Sequence, residues 1–177
     1  MINMNETVKV LLERSSARKY RNEHVKKEDL ELIVQAGLKA PSGGNKQTPR
    51  FIIITNKEIR NRLMEMNAQV AGAPKGFDVF YGAQDVIAVV AKKDSADFVC
   101  DGSLAMGNML NAAYAMGLGA RWINRARQVF YTEEGKKILA DAGLTEDVEG
   151  IGFCIVGIPD EELSPKPIVP GRVFYIE

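Results

Sequence analysis

The chain has 177 residues, of which 46% are apolar and 26% charged, values close to those of globular proteins. Its 23 basic and 23 acidic residues cancel, so the chain lacks the general charge attraction that draws proteins to nucleic acid or to anionic lipid. No apolar run approaches the roughly 20 residues of a membrane span, and the N-terminus lacks the pattern of a secretory signal, so we expect a cytoplasmic protein with one core.

Hydrophobic spacing predicts three helices and one strand in the first half of the chain. Apolar residues recur at helical intervals in residues 5–15, 27–39 and 57–70. Residues 51–55 (FIIIT) form the short β-branched run that is typical of a buried strand. Residues 71–83 contain three glycines and one proline, a composition that favours a loop.

The second half of the chain predicts two further strands and two helices. Residues 85–91 (DVIAVVA) and 153–158 are continuous apolar runs that indicate buried strands. Residues 96–116 form a long helix that is apolar on most sides, so we expect it at the centre of the fold. Thr132 caps a shorter helix that ends before Gly143.

Residues 159–177 differ in composition from the rest of the chain. They hold four of its seven prolines and end in the apolar run 173–176. Because disordered tails seldom end in apolar residues, we expect this segment to dock as a strand, on its own core or on a second subunit. The elements alternate without a regular βαβ rhythm, which favours an α+β fold with a mixed sheet. The chain thus divides into a core, residues 1–158, and a C-terminal arm, residues 159–177.

The turn after the first helix carries the first group of candidate binding residues. Arg14, Ser15, Ser16 and Arg18 place two guanidinium and two hydroxyl groups within a short stretch. A guanidinium group matches a phosphate group with two parallel hydrogen bonds, and hydroxyl groups add short donors. The pattern predicts a cradle for a doubly charged anion, with a solvated basic turn as the alternative.

A second group lies between the second helix and the first strand. Residues 40–47 (APSGGNKQ) contain glycines that allow backbone N–H groups to approach a ligand closely. The amide side chains of Asn45 and Gln47 each offer a donor and an acceptor. They suit a heterocycle with alternating C=O and N–H edges, such as the pyrimidine ring of a flavin. An ordinary turn is the alternative, since these residue types are common in turns.

Two weaker patterns follow. Residues 117–124 (GLGARWIN) contain a G-x-G, but Trp122 stands where the third glycine of a dinucleotide-binding motif belongs, and the pattern follows a helix instead of a strand. A Rossmann NAD site is therefore disfavoured, and so is a P-loop. Arg172 could close over a phosphate group held by Arg14 and Arg18, or it could lie in a surface turn.

No residue pattern points to catalysis by a side chain. The only histidine, His24, lies in a charged turn, far in sequence from the two cysteines, Cys100 and Cys154. Nucleophilic catalysis needs a base beside the nucleophile, metal-ligand spacings are missing, and we interpret both cysteines as buried thiols. We assign no catalytic residue and no metal site. If the protein is an enzyme, a cofactor carries the chemistry.

Taken in order, these groups resemble one family, the FMN-dependent nitroreductases. Its members open with R-R-S-x-R-x-F/Y after a short helix and continue with A-P-S-x-x-N-x-Q-P-W, a strand, a long central helix that ends in G-L-G, and an arm with a basic residue. The matching positions are Arg14, Ser16, Arg18 and Tyr20, then Ala40, Pro41, Ser42, Asn45 and Gln47, then Gly117, Leu118 and Gly119, and finally Arg172. Ser15 replaces the second arginine, Thr48 and Pro49 replace P-W, and the segment 71–83 is short, so substrate access is the least transferable property.

The resemblance implies an α+β homodimer with a mixed, mostly antiparallel sheet flanked by helices, a C-terminal arm exchanged between subunits, and FMN at the subunit interface. It implies that the first turn and Arg172 hold the phosphate and ribityl end, while residues 41–47 and 117–124 lie beside the ring. The FMN-binding residues that it predicts are Arg14, Ser15, Ser16, Arg18, Pro41, Ser42, Gly43, Asn45, Gln47, Gly117, Leu118, Gly119, Trp122, Ile123, Asn124 and Arg172.

The resemblance also implies a reaction. Hydride would pass from NADH or NADPH to the flavin N5 atom and then to a nitroaromatic, quinone or similar acceptor, in a ping-pong sequence. A non-catalytic flavin carrier and oxygen-dependent flavin chemistry on the same scaffold are the alternatives. The sequence leaves open the acceptor, the choice between NADH and NADPH, and any assembly beyond a dimer.

Overall fold

The protein has the α+β architecture that its sequence predicts. The computed structural model describes residues 5–177, so residues 1–4 of the predicted core segment lie outside the described range. The elements are α1 (Glu6–Glu13), α2 (Lys27–Leu38), β1 (Pro49–Ile54), α3 (Lys57–Ala71), β2 (Asp85–Lys92), α4 (Phe98–Ala115), β3 (Gly119–Ile123), α5 (Ala126–Tyr131), α6 (Glu133–Asp141) and β4 (Val148–Gly157). None of the described helices is both long and apolar enough to cross a membrane.

The four strands form one sheet with the order β1-β2-β4-β3, and every neighbouring pair is antiparallel. The sequence predicted a mixed sheet, but all neighbouring strands run in opposite directions. After α3 the chain returns to the C-terminal end of β1, where Ile54 pairs with Val86, so β2 runs antiparallel to β1. The sequence did not predict β3. Its residues, GARWI, begin with glycine and carry an arginine at the centre, unlike the β-branched runs of the other strands.

Both faces of the sheet are covered by helices, which explains the continuous apolar composition of β2. Along this strand, Val86, Ala88 and Val90 pack in the layer formed with α3, α5 and α6. Ile87 and Val89 alternate with them and pack in the opposite layer, formed with α2 and α4. A strand that is buried on both faces therefore has an unbroken apolar sequence.

The boundaries of several helices follow capping residues in the sequence. The side chains of Asn5, Asn56 and Thr132 accept hydrogen bonds from backbone N–H groups at the starts of α1, α3 and α6. Gly72, with a positive φ of 61°, ends α3. Gly117, with a φ of 74°, follows α4 and turns the chain toward β3.

Helix α4 is buried on one face only, whereas its composition predicted burial on most sides. Met106 and Met109 are fully buried and pack in the layer that α4 forms with α2. Val99, Cys100 and Leu104 are exposed on the outer face of the helix. The interpretation of Cys100 as a buried thiol is therefore wrong, whereas Cys154 is buried. The apolar residues of this outer face are therefore not explained by packing within the described part of a single chain.

The two edges of the sheet differ. Beside β3, the N–H group of Ala17 donates to the carbonyl oxygen of Ala120 at 3.3 Å, and Tyr20 forms an isolated bridge with Pro159. The edge of β1 has no such neighbour among residues 5–177. One edge is thus covered by the chain itself, and the other is open.

Beyond residue 163, the arm does not dock on its own core. From residue 164 onward it is exposed and contains no strand, and Phe174 keeps 86% of its surface accessible. Docking on the same chain, one of the two alternatives for the arm, is therefore wrong, because its apolar end buries nothing there. Docking on a second subunit stays a prediction.

Candidate functional site

A cavity of about 340 Å³ lies where the end of α1, the middle of β3 and the arm meet. It is lined by Leu12, Arg14, Ser15, Ser16, Arg18, Arg121 and Lys166. Four of these side chains are cationic and none is a carboxylate, which gives the cavity a positive potential. The structure thus brings together the first motif, which comprises Arg14, Ser15, Ser16 and Arg18. Two further cations line the cavity, Arg121 and Lys166, which the sequence did not single out.

The segment that carries Arg18 is held by the beginning of the arm. A carboxylate oxygen of Glu161 accepts hydrogen bonds from the backbone N–H groups of Arg18 and Lys19, the latter at 2.9 Å. The hydrogen bond from Arg18 is the main reason that the pKa of the Glu161 carboxyl lies below its usual range. One oxygen of this carboxylate satisfies two backbone donors, and its charge also interacts with the side chains of Lys19 and Arg18.

Arg121 is held by an aromatic ring at the wall of the cavity. It belongs to β3, and its guanidinium carbon lies 4.7 Å from the centre of the Tyr81 ring. Its Nη1 atom is buried and has no hydrogen-bond partner among the described residues. Burial raises the pKa of the nearby Tyr20 phenol, which therefore stays neutral and provides no counter-ion.

The second motif, residues 40–47, forms a tight loop before β1. Gly43–Asn45 make one turn of 3₁₀ helix. Asn45 and Gln47 have positive φ angles of 55° and 50°, which are uncommon for residues with a side chain. The N–H group of Gln47 donates to the hydroxyl oxygen of Ser42 at 2.9 Å. Exposed residues in such backbone conformations are found preferentially at binding sites.

A buried carboxylate, Asp101, anchors this loop to the first turn of α4. Asp101 is 2% exposed and accepts hydrogen bonds from the Gly43 N–H group at 2.9 Å and from the Thr48 hydroxyl group at 2.8 Å. Thr48 stands where the family motif has proline, which has no hydroxyl group to donate. The departure from the motif therefore gives this chain a hydrogen bond that holds the loop.

The two motifs lie at opposite ends of α4. The loop is bound to the N-terminal end through Asp101, whereas Glu13, next to Arg14, lines a cavity with Tyr114 and Gly117 at the C-terminal end. The 18 residues of this helix span about 27 Å at 1.5 Å each. A single chain therefore does not place all the predicted residues around one ligand.

The third motif, residues 117–124, is closely packed over most of its length. Ile123 is buried in the core, and Leu118 and Trp122 pack against the layer of α2 and α4. Gly119 lies so close to the first motif that a Cβ atom there would stand 2.8 Å from the Ala17 Cβ atom. Leu118 and Trp122 are half-buried, and the contacts of this segment with FMN stay predictions.

Asn67 is another polar residue that the sequence did not single out. It is 1% exposed, and its Nδ2 atom donates to the carbonyl oxygen of Asn124 at 2.7 Å. Its Oδ1 atom has no hydrogen-bond partner among residues 5–177. Asn67 follows Leu63 by four residues and therefore lies on the apolar stripe of α3. A polar residue at such a position could have been recognised from the sequence as a candidate.

Arg172 does not line the cavity of its own chain. It is exposed in the arm, and Lys166 is the arm residue at the cavity. The clasp of Arg172 with Arg14 and Arg18 is therefore wrong within one chain, because the arm passes the cavity before it reaches Arg172. A contact of Arg172 with the cavity of a second subunit stays a prediction.

The fold is α+β, and its candidate site is a cationic cavity beside an antiparallel sheet. The chain belongs to the nitroreductase family, whose family model matches residues 11–158. The NADPH-flavin oxidoreductase of Vibrio harveyi is 29% identical over 184 residues, which cover 98% of this chain and 74% of that protein. The FMN reductase (NAD(P)H) of Bacillus subtilis is 26% identical over 186 residues, with 94% and 71% covered. A crystal structure of a nitroreductase with bound FMN from Bacteroides fragilis has the same fold, with a TM-score of 0.87, 24% identity, and 98% and 100% of the two chains covered.

Proposed function

We propose that the protein is an FMN-dependent oxidoreductase that takes electrons from NADH or NADPH. The cavity of Arg14, Arg18, Arg121 and Lys166 carries this proposal, because four cations without a carboxylate call for an anionic ligand. A phosphate monoester carries a charge of about −1.5 to −2 near pH 7, and its oxygens match guanidinium groups. The names of two relatives, an NADPH-flavin oxidoreductase and an FMN reductase, support FMN as that ligand.

The residues of the cavity fit the phosphate and ribityl end of this cofactor. Arg14, Arg18 and Lys166 would hold the phosphate group with charge-assisted hydrogen bonds, and the hydroxyl groups of Ser15 and Ser16 would add short donors.

The ring of the cofactor is proposed to lie between two segments that come from different subunits. Residues 117–124 of one subunit would offer backbone groups, beside the unsatisfied Oδ1 atom of Asn67. Residues 41–47 of the other subunit would reach the ring with the amide groups of Asn45 and Gln47, which both donate and accept hydrogen bonds. This arrangement matches the donors and acceptors of a flavin pyrimidine edge.

The flavin, when bound, would supply the redox chemistry, since it accepts hydride at N5 from NAD(P)H and passes electrons to a nitroaromatic, quinone or similar acceptor. The chain contributes binding, orientation and charge. His24 is held by the buried Asp85, with 2.7 Å between Nδ1 and Oδ1, and does not line the cavity. Burial raises the pKa of the Cys154 thiol to about 12, so this residue stays protonated and is no nucleophile. We therefore assign no side chain as acid or base.

We propose that the active form is a homodimer. Within one chain, the loop of residues 41–47 is bound near the N-terminal end of α4 and the cavity lies toward its C-terminal end, and this helix is about 27 Å long. Two copies of α4 related by a two-fold axis would bring the cavity of one subunit to the loop of the other. The exposed outer face of α4, with Val99, Cys100 and Leu104, is suited to that contact because it is largely apolar.

The arm, residues 159–177, is proposed to wrap the partner subunit, while residues 1–158 form the core. Its apolar end, residues 173–176, is exposed and needs a surface on which to bury. The open edge of β1 is an unpaired strand edge, which is a ready site for a further strand. Pairing of the arm with this edge of the partner would cover both surfaces.

The proposed compartment is the cytoplasm, which supplies NADH and NADPH. Both cysteines are free thiols in the structure, Cys100 on the surface and Cys154 in the core, as a reducing compartment requires. Cell fractionation followed by detection of the chain would test this location.

The absorption spectrum of the purified protein tests the cofactor. We expect a yellow protein whose flavin band bleaches with NADH or NADPH. Steady-state oxidation of NAD(P)H with a nitroaromatic or a quinone tests turnover. Bound FMN without turnover would indicate a flavin carrier, and product formation without an added acceptor would indicate oxygen-dependent chemistry. A colourless protein that takes up no FMN would refute the proposal.

A further inference from the structure

The side chain of Arg50 holds the end of the loop formed by residues 40–47. Its Nη1 atom donates hydrogen bonds to the carbonyl oxygens of Gln47 at 2.9 Å, of Pro49 at 3.1 Å and of Thr48 at 3.4 Å. Three consecutive carbonyl groups thus converge on one guanidinium group. Because a charged donor makes stronger hydrogen bonds than a neutral one, this side chain fixes the backbone where the loop enters β1.

Arg50 is itself oriented by Glu146, which lies between α6 and β4. The Nε atom of Arg50 donates to Oε2 of Glu146 at 2.8 Å, and its Nη2 atom donates to Oε1 at 3.1 Å. Two such hydrogen bonds fix the plane of a guanidinium group as well as its distance. Among the described residues, Glu146 makes no hydrogen bond to the loop itself, so its effect on the loop passes through Arg50.

The charges around Glu146 keep its carboxylate ionised. Hydrogen bonds from Arg50 are the main reason that the pKa of the Glu146 carboxyl lies below its usual range. The ammonium group of Lys92 lies 3.4 Å from Oε1 of Glu146 and acts in the same direction, although it also pairs with Asp94 at 3.2 Å. At neutral pH, Glu146 is therefore charged and Arg50 stays paired with it.

The backbone that Arg50 holds carries two amide side chains. The backbone N–H group of Gln47 donates to Oγ of Ser42 at 2.9 Å, and its carbonyl oxygen is bound by Arg50, so both of its peptide groups are held. The Nε2 atom of Gln47 donates to Oδ1 of Asn45 at 3.2 Å. The amide groups of Asn45 and Gln47 are therefore oriented together, and both depend on the position of the Gln47 backbone.

We propose that Arg50 is a positioning residue for the ring of the bound flavin, because it orients the amide groups of Asn45 and Gln47 before the cofactor binds. This inference rests on the proposed function, in which this loop lies beside the ring of the cofactor bound to the other subunit. Arg50 acts through the loop, since its guanidinium group is occupied by the loop carbonyl groups and by Glu146. A loop that is ordered in advance loses less freedom when the ligand binds.

The test compares Arg50→Met, Glu146→Gln and the variant that carries both substitutions with the wild-type protein. Arg62→Met is the matched control, because Arg62 is a surface arginine of α3 that pairs with Glu134 and lies outside the loop and the cavity. Fluorescence titration gives the dissociation constants of FMN and of riboflavin, which lacks the phosphate group. Visible circular dichroism of the bound flavin reports the surroundings of the ring, and sedimentation velocity reports the assembly.

We expect Arg50→Met to weaken the binding of FMN and of riboflavin by the same factor, and to change the visible circular dichroism of the bound flavin. The factor should be about fivefold or more, because ordering one side chain on binding lowers affinity roughly twofold to tenfold. Arg14→Ala, in contrast, should lose affinity for FMN and not for riboflavin. Glu146→Gln should show a smaller loss, and the double variant should match Arg50→Met because Glu146 acts through Arg50. Arg62→Met should match the wild type.

Four results would overturn the inference. Unchanged flavin affinity and circular dichroism in Arg50→Met would overturn it and leave the proposed function intact. A loss of affinity for FMN alone would assign Arg50 to the phosphate group, and a loss that follows dissociation of the subunits would assign it to assembly. Additive losses in the double variant would overturn the action of Glu146 through Arg50. A wild-type protein that binds no flavin would refute the proposed function as well. Thermal unfolding of the flavin-free variants monitors folding, and Glu146→Gln decides by the same criteria if Arg50→Met does not fold.

Discussion

Arg14 is the arginine of the cavity that directly follows α1. A hydrogen bond between charged groups contributes about 1.5–3 kcal/mol, so Arg14→Ala should weaken FMN binding roughly tenfold to a hundredfold. Fluorescence titration of the flavin-free protein with FMN measures this change. Arg62→Ala, which removes a surface arginine outside the cavity, is the control. Equal affinity of Arg14→Ala and the wild type would mean that the phosphate group binds elsewhere.

Glu161 joins the arm to the first motif in a pH-dependent way. The backbone N–H group of Arg18, followed by that of Lys19, stabilises its carboxylate and lowers its pKa from the ordinary value of 4.5. Because the folded pKa is lower than the unfolded pKa, this stabilisation is present above about pH 4.5 and is lost as the pH falls through the folded pKa. We expect the hydrogen-exchange protection of both amides to decrease over that acidic range.

The matched control for this pH dependence is Glu161→Gln, whose amide does not titrate. Protection of the Arg18 and Lys19 amides in this variant should be weaker at neutral pH and should not change in the acidic range. The exchange rates are compared with intrinsic rates at each pH. Constant protection in the wild type down to strongly acidic pH would contradict the role of Glu161.

The residues of the first motif could be predicted because Arg14, Ser16 and Arg18 are neighbours in sequence and reach one cavity from a single turn. Arg121 could not, because its place in the cavity depends on how β3 packs against the first motif. Arg172 does not reach the cavity of its own chain for a related reason, and its contact with the cavity of a second subunit stays a prediction. Sequence spacing within a proline-rich arm does not determine which of its cations lies beside the cavity.

At the level of elements, the loop before β1 depends on the hydrogen bond between Thr48 and Asp101. Thr48→Val leaves a buried carboxylate oxygen without its donor, which costs about 1–3 kcal/mol. Urea unfolding should show a free energy of unfolding lower by that amount. Thr55→Val, at an exposed position directly after β1, is the matched control and should stay within about 0.5 kcal/mol of the wild type. Equal stability of the two variants would contradict the anchoring role.

Elements with a strong hydrophobic period could be predicted to within a few residues, as α2, α3 and β2 were. Neither β3 nor α5 was predicted, because β3 is a short strand with glycine and arginine and α5 has only six residues. For α4, the apolar composition predicted burial on most sides. That expectation was wrong for a single chain. Apolar composition alone does not distinguish a helix face that packs within its own chain from a helix face that is exposed in the single chain.

At the level of the whole molecule, Cys100 reports whether the outer face of α4 is covered. It is exposed in the single chain, whereas Cys154 is buried and its pKa is raised to about 12. An aromatic disulfide reagent should therefore react with Cys154 only after unfolding. In the proposed homodimer, Cys100 should be protected at high protein concentration and should react faster on dilution. A rate that is independent of concentration, in a protein shown to be dimeric, would place the interface elsewhere.

The apolar end of the arm is exposed in the single chain, and a dimer that covers it should depend on it strongly. Full burial of an apolar side chain contributes about 1.5–3 kcal/mol. Burial of Phe174 and Ile176 alone would therefore lower the dissociation constant of the dimer by roughly a hundredfold or more. A chain that ends at Glu162 keeps the hydrogen bonds of Glu161 but should dissociate and lose FMN, as sedimentation velocity and absorption would show. A chain that lacks only Glu177 is the control. If the shortened chain stays dimeric with FMN bound, the contact between the two α4 helices is sufficient for assembly and the arm has another role.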